Sequence, residues 1–377
     1  MRNIFLRWIT PVPIISNGII NILNGINDMN TESNQIPASI YKSINRRRII
    51  VLTAAVIAAA LSLLTDLCVG SSGMDMSTIL KTLAAGPKGD TVNTLIIWSI
   101  RLPMTLTCVF VGASLALAGL QVQTITNNPL SSPYTLGISA GASFGAAISI
   151  TLGFTIASVQ WIGTAFLAFL FAIGVSMAIF SLGRLKGLTT NTLILTGIIM
   201  NFFFTALQQY LQYTASAEVA QIISNWSFGN LSRASWVSVW VSAVILTVSF
   251  LLLASVSWKL TALTAGEERA RSLGINVERL RVQTFLLCAF LIAGAVGFIG
   301  TVAFVGLVAP HCARLLVGED QRFLSPVTAV FGSLIMLIAS TAAKLMSHGS
   351  MLPVGIITSI VGVPFLFLLL MKEGPGR

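Results

Sequence analysis

The sequence predicts an all-α polytopic membrane protein of about ten transmembrane helices, with both termini in the cytoplasm. Three observations lead there. Only 9% of the 377 residues are Asp, Glu, Lys or Arg, against roughly 25% in a soluble globular domain. Apolar residues make up 55%, mean hydropathy is +0.88, and the 82 residues between Arg101 and Arg184 carry no charge. A water-exposed surface cannot be built from such a stretch, whereas a bilayer accepts it. Finally, the 22 Lys and Arg residues divide 17 to 5 when ten spans are threaded from an inner N-terminus, which is the bias of cytoplasmic loops. These facts exclude a soluble enzyme, a disordered chain, a fibrous repeat and a single-span receptor. The same loop bias accounts for the net charge of +10, so no nucleic acid is expected as a partner. The lipid bilayer is.

Residues 1–45 read as a poorly ordered cytoplasmic tail. Arg2 and Arg7 flank a short apolar run that Pro11 and Pro13 break, and 16–45 are rich in Asn, Ser and Ile. The run is too short for a span and lacks a cleavage site; Met29 offers an alternative start. The transmembrane domain, 46–372, opens on Arg46-Arg47-Arg48. Spans follow at 49–69, 102–124, 134–153, 160–183, 191–213 and 236–258, then at 325–345 and 352–371, before a short tail at 373–377. The stretch 282–310 is uncharged for 29 residues and holds Gly294, Gly297, Gly300, Gly306 and Pro310. It reads as a span near 282–298 and a shorter helix near 300–316, a break tolerated where protein re-satisfies the backbone. The blocks 102–213 and 282–371 then supply four spans each in opposite directions, as in inverted-repeat transporters.

Little in the chain can carry covalent chemistry. There is no Gly-rich loop ending in Lys-Ser or Lys-Thr, so ATP hydrolysis by this chain is not expected. No nucleophile, carboxylate pair or metal cluster falls within a span. Cys68, Cys108, Cys288 and Cys312 are scattered, without metal or disulfide spacing. With only His311 and His348, no metal, cofactor or catalytic residue is expected. Acidic residues are absent from mid-span positions, which argues against a proton- or sodium-coupled secondary transporter, the alternative in a different functional class.

Two connections stand out. The first runs Thr126-Asn127-Asn128-Pro129-Leu130-Ser131-Ser132-Pro133 into Gly137-Ile138-Ser139-Ala140-Gly141-Ala142, combining turn initiation with small residues for close packing. The second is the long inner loop 259–281. Glu267 and Arg271 there form an i,i+4 pair in the favourable orientation, Ala270 and Leu273 add an apolar stripe, and Gly274 stops a helix. A short amphipathic helix on the cytoplasmic face is expected, shaped to dock on something.

Seven ordered segments resemble the FecCD permease family. They are Arg101-Leu102-Pro103, the small-residue run Gly112 to Gly119, Asn128-Pro129-Leu130, the Gly266-Glu267 to Leu273-Gly274 loop, Gly297-Phe298-Ile299-Gly300, Gly306 to Leu315 through Pro310-His311, and Leu352-Pro353-Val354-Gly355-Ile356. The resemblance spans about 49–372. It implies the fold of type II ABC importer permeases, the cobalamin importer's kind, working in the cell membrane. It also implies an iron-siderophore cargo, with haem or cobalamin as alternatives. The implied partners are a cytoplasmic ABC ATPase dimer, which would use the ATP, an extracytoplasmic solute-binding protein, and a second permease copy or sister permease.

By the same resemblance, gates correspond to Asn128, Pro129 and Leu130, and to Thr190 and Asn191. Coupling to the ATPase falls to Gly266, Glu267, Ala270, Arg271, Leu273 and Gly274, with His311 and Arg314 in a second inner element. His311 reads as a packing or capping residue. Arg101 and Lys344 are expected to face the binding protein. Three positions depart from the family pattern: Met104 stands where a second Arg is usual, Lys344 replaces an outer Arg, and Met351 replaces an acid.

Overall fold

The computed structural model describes residues 38–70, 74–88, 91–156, 159–185, 190–347 and 351–372. The tail through residue 37, His348 and residues 373–377 lie outside them. The chain divides into two units, Met1–Ile50 and Val51–Arg377. Of the first, the described part is the beginning of helix α1 (Ala38–Cys68). Helix therefore reaches 11 residues ahead of the expected start at Ile49, because the Arg46–Arg48 triplet can continue a helix into water. The disordered reading of 38–45 is corrected accordingly.

After α1 come α2 (Met76–Ala85), α3 (Leu102–Thr126), α4 (Ile138–Leu152), α5 (Gln160–Leu185), α6 (Thr190–Thr214), α7 (Ala217–Ser227) and α8 (Trp236–Ser255). The chain continues through α9 (Ser257–Thr264), α10 (Glu267–Ser272), α11 (Val277–Ile299), α12 (Val305–Val317), α13 (Gln321–Met346) and α14 (Val354–Lys372). Among the described residues seven helices are long and apolar enough to cross a membrane; α4, α12 and part of α14 are shorter apolar helices. The 282–316 stretch divides as expected, with its break at 300–304. Helices α2 and α7 were not anticipated, being too short and mixed in polarity to read as spans.

The centre of the second unit is α3. Nearly all its residues are buried, as befits a helix apolar on every side. It continues from Val92–Leu95 through a π-helical turn, Ile96–Arg101. Pro103 sits at its start, where a missing N–H and a bulky ring favour a widened preceding turn. Two glycines seven residues apart set its neighbours. A Cβ on Gly112 would lie 2.5 Å from Gly332 O of α13, and one on Gly119 would lie 1.8 Å from Gly306 O of α12. Between helices in lipid, close backbone approach of this kind supplies the attraction.

The two ends of α3 differ in chemistry. From Thr105 to Ile125 the helix rises about 30 Å at 1.5 Å per residue. Near Thr105, Asp66 is fully buried. Its Oδ2 lies 2.7 Å from Lys344 Nζ, and Thr105 and Thr341 donate their hydroxyls to the same carboxylate. Arg101 Nη1 donates to Leu67 O at 2.6 Å and to Cys68 O at 3.3 Å, closing the C-terminus of α1. Trp98 and Trp236 stack at this end, 6.4 Å apart, as aromatic rings do at a membrane–water boundary.

Candidate functional site

The opposite end of α3 draws side chains from three distant segments. A helix leaves its last four carbonyls without intrahelical donors. Asn127, left-handed at φ 45°, donates its N–H to Gln123 O and Thr124 O, and Asn128 N–H donates to Gln123 O at 3.1 Å. A continuing helix would satisfy Ile125 O from residue 129. That residue is Pro129, which has no N–H. Arg281 of α11 supplies the donor instead, its Nε 3.1 Å from Ile125 O.

Arg281 is only 8% exposed along its side chain, and its Nη2 lies 2.9 Å from Glu267 Oε2. The other Glu267 oxygen is 2.7 Å from Arg271 Nη2. Burial acts to raise the Glu267 carboxyl. The hydrogen bonds and charges of Arg271 and Arg281 outweigh it and hold the group below the ordinary carboxylate range. A carboxyl depressed in the folded state keeps its stabilising pairs at neutral pH and loses them only as pH falls through the lowered value. The i,i+4 pair expected from sequence is thus two arms of a fork whose third arm reaches α3.

Further contacts hold the same turn. Arg314 Nη1 donates to Gln123 Oε1 at 3.2 Å, and its Nε pairs with Glu319 at 2.8 Å. Gln321 donates to Thr124 Oγ1 at 2.9 Å and accepts from Gln121 and Ser325. Its backbone N–H donates to Thr261 Oγ1 of α9 at 3.0 Å.

Beyond α3 the chain forms a compact hairpin. Asn128 Oδ1 accepts from Leu130 N–H at 2.9 Å, an Asx turn. Ser132 and Thr135 exchange side-chain and backbone bonds. These bonds leave Pro129 and Leu130 exposed, Leu130 by 52%. Thr190 and Asn191 open α6, and a Cβ on Gly197 of that helix would lie 2.9 Å from Leu136 Cα. The chain beyond each expected gate segment therefore meets the other at Leu136 and Gly197. Between the start of α4 and the middle of α6 lies a cavity of about 500 Å³. Ser139, Ser143, Asn201, Thr205, Gln208 and Ser359 line it together with Tyr134, Phe228, Ile356 and Ile360, and among the described residues of the lining none is charged.

The expected docking helix forms as α10, flanked by Gly266 at φ 117° and Gly274 at φ 77°. Its apolar stripe divides. Ala270 is fully buried against the protein's own core, while Leu273 is 64% exposed. Ala270 therefore seats the helix and has no surface to offer a partner. His311 packs edge-on against Phe365 at 5.9 Å. Arg101 and Lys344 require a correction. Their side chains are buried and spent on Leu67, Cys68 and Asp66, so neither presents a head group to a docking protein. Sequence reasoning missed Asp66, a lone acid at a span end, and Arg281, which is 156 positions from its acceptor Ile125.

A profile of the FecCD transport family matches residues 43–372. The haemin transport system permease of Yersinia pestis is 33% identical over 320 residues, covering 84% of this chain and 95% of its own. The iron(3+)-hydroxamate import system permease of Bacillus subtilis is also 33% identical, over 338 residues covering 87% and 84%. A solved inward-facing structure of a metal-chelate type ABC transporter superposes with a TM-score of 0.75 at 28% identity, covering 86% of this chain and 99% of its own.

Proposed function

The chain belongs to the FecCD transport family, and from that premise we propose that it passes an iron-siderophore complex inward as the permease subunit of an ATP-driven importer. At the coarser level it is a multi-pass permease of the ABC importers for metal chelates. In our reading ten helices span the cell membrane, the seven long ones with α4, α12 and α14, and both termini are cytoplasmic. A second permease copy or sister permease completes the pore. Asn128, Pro129, Leu130, Thr190 and Asn191 form the gates. Partner ATPase subunits consume the ATP and dock on α10, while a solute-binding protein docks at the Asp66 end. Among the described residues there, Lys81, Lys88 and Arg233 are the exposed cations, and they take the docking role that Arg101 and Lys344 cannot fill.

The cavity lining carries the cargo assignment. Hydroxyl and amide groups without a cation suit a bulky polar chelate of little net charge. The two carboxylates of haem would enter such a space without partners, and unpaired buried charge is costly. Uptake by a deletion strain complemented with this gene, assayed with labelled ferric hydroxamate, haem and cobalamin, tests it. Ferric hydroxamate should be taken up, and only with an intact ATPase partner. Uptake of haem or cobalamin alone would reassign the cargo. Uptake abolished by collapsing the proton gradient, with ATP maintained, would mean a secondary transporter.

Docking on α10 has its own test. Leu273→Glu places a charge on an exposed apolar contact without touching the core. Copurification of the ATPase should fall at least tenfold while the permease melts at its usual temperature. Undiminished copurification would move the docking surface elsewhere.

A further inference from the structure

The contact between Arg281 and Ile125 O has an origin in sequence. Pro129 belongs to the gate hairpin, and by lacking an N–H it leaves Ile125 O without a helical donor. The nearest alternative amide, that of Asn128, is already committed to Gln123 O. A buried carbonyl without a donor is strongly disfavoured. A guanidinium satisfies it and brings positive charge to the negative end of the α3 dipole. The guanidinium has a planar fork of five donors, so the same group also reaches Glu267 at the first residue of α10. One buried side chain thereby touches both the end of the gate helix and the start of the exposed helix at the neighbouring surface.

We infer that Arg281 is the positioning residue that carries movement of α10 to the gate hairpin, Glu267 being its handle. This rests on the reading of the chain as an ABC permease with α10 as the ATPase contact. Displacement of α10 draws Glu267, and with it Arg281, relative to Ile125 O. The end of α3 and the turn Asn127–Leu130 then follow or lose their cap. Arg314 and Gln321 hold the same turn from α12 and α13. They do not contact α10 in any hydrogen bond found among the described residues, so they act as the fixed side against which Arg281 works.

The test uses the complete complex, permease with its ATPase, in liposomes. Arg281→Lys keeps the charge, but a single ammonium cannot bond both partners with the guanidinium's geometry. Glu267→Gln keeps the shape and weakens the grip. Import per ATP hydrolysed should fall at least tenfold in the first and less in the second, with hydrolysis by the Arg281→Lys complex within about twofold of wild type. Spin labels at Leu130→Cys and Asn191→Cys should report a nucleotide-dependent distance change in the wild-type background that Arg281→Lys abolishes. A purely structural Arg281 would instead lower hydrolysis, import and yield together, and that outcome overturns the inference, as does unchanged import per ATP in both variants. If Arg281→Lys does not fold, Glu267→Gln alone decides by the same ratio. A wild-type complex with no ATP-driven chelate import overturns the permease reading itself, whereas wild-type import with unaltered coupling in the variants overturns only the role of Arg281.

Discussion

Lys344→Met should be among the most damaging single substitutions in the protein, although it replaces a cation with an apolar residue in a membrane chain. The Lys344 side chain is 8% exposed and Asp66 is fully buried, with 2.7 Å between Nζ and Oδ2. The ammonium also donates to the Asp66 backbone carbonyl at 2.8 Å. Methionine fills the space of the stem but leaves a buried carboxylate with only the Thr105 and Thr341 hydroxyls. Removing one partner of a buried pair costs about 3–5 kcal/mol, whereas replacing both with apolar groups is often neutral. Thermal unfolding in detergent should show a large loss for Lys344→Met and for Asp66→Leu. The double variant Asp66→Leu/Lys344→Met should recover most of it. A single variant that melts with the wild type, or a double variant no better than the singles, would mean that the pair is not what holds α1 to α13. Binding-protein association, normalised to folded permease, should be unchanged in the double variant, because neither head group reaches the surface.

That pair also shows where sequence reading stops. Charge depletion located the long apolar helices, because a bilayer imposes one requirement on every residue of such a helix at once. The short helix α10 was legible for a similar reason: its pattern is local, within the eight positions from Gly266 to Leu273. What could not be read was pairing at long range. Asp66 and Lys344 are 278 positions apart, and a basic residue at a span end looks the same whether it faces water or a buried acid. Arg281 looked like one more inner-loop cation, although Pro129 already implied that some donor must come to Ile125. Ala270 and Leu273 lie three apart and share a face on a helical wheel. Only packing shows that the first is covered by the protein and the second is not. Glu267 was read as one half of a pair with Arg271, and its second contact, with the buried Arg281, makes it a poor choice for a purely interfacial mutation.

Gly119→Ala should abolish accumulation of folded protein, and Gly174→Ala should not. Both add one methyl group to a glycine within an apolar helix, where alanine alone is the better helix former by about 1 kcal/mol. The difference lies in what the methyl meets. At Gly174 nothing stands within 4 Å, so the helix gains propensity and loses no contact. At Gly119 the new atom would lie 1.8 Å from Gly306 O, 2.4 Å from Gly306 C and 2.6 Å from Gly306 Cα. All three are backbone atoms of α12, so no side chain can rotate away. α3 and α12 must then move apart by more than 1 Å. The move opens gaps along the contact and shifts the turn where Gln123 meets Arg314. Overpacking in a well-filled interior costs typically about 1–3 kcal/mol and occasionally more. The upper end is expected here, since helix association in lipid depends on the contact being lost. Size-exclusion profiles and melting curves of the two variants, expressed side by side, should separate cleanly. If Gly119→Ala elutes and melts like the wild type, α3 and α12 are not in backbone contact, and the same crossing could not hold the end of α3 in place.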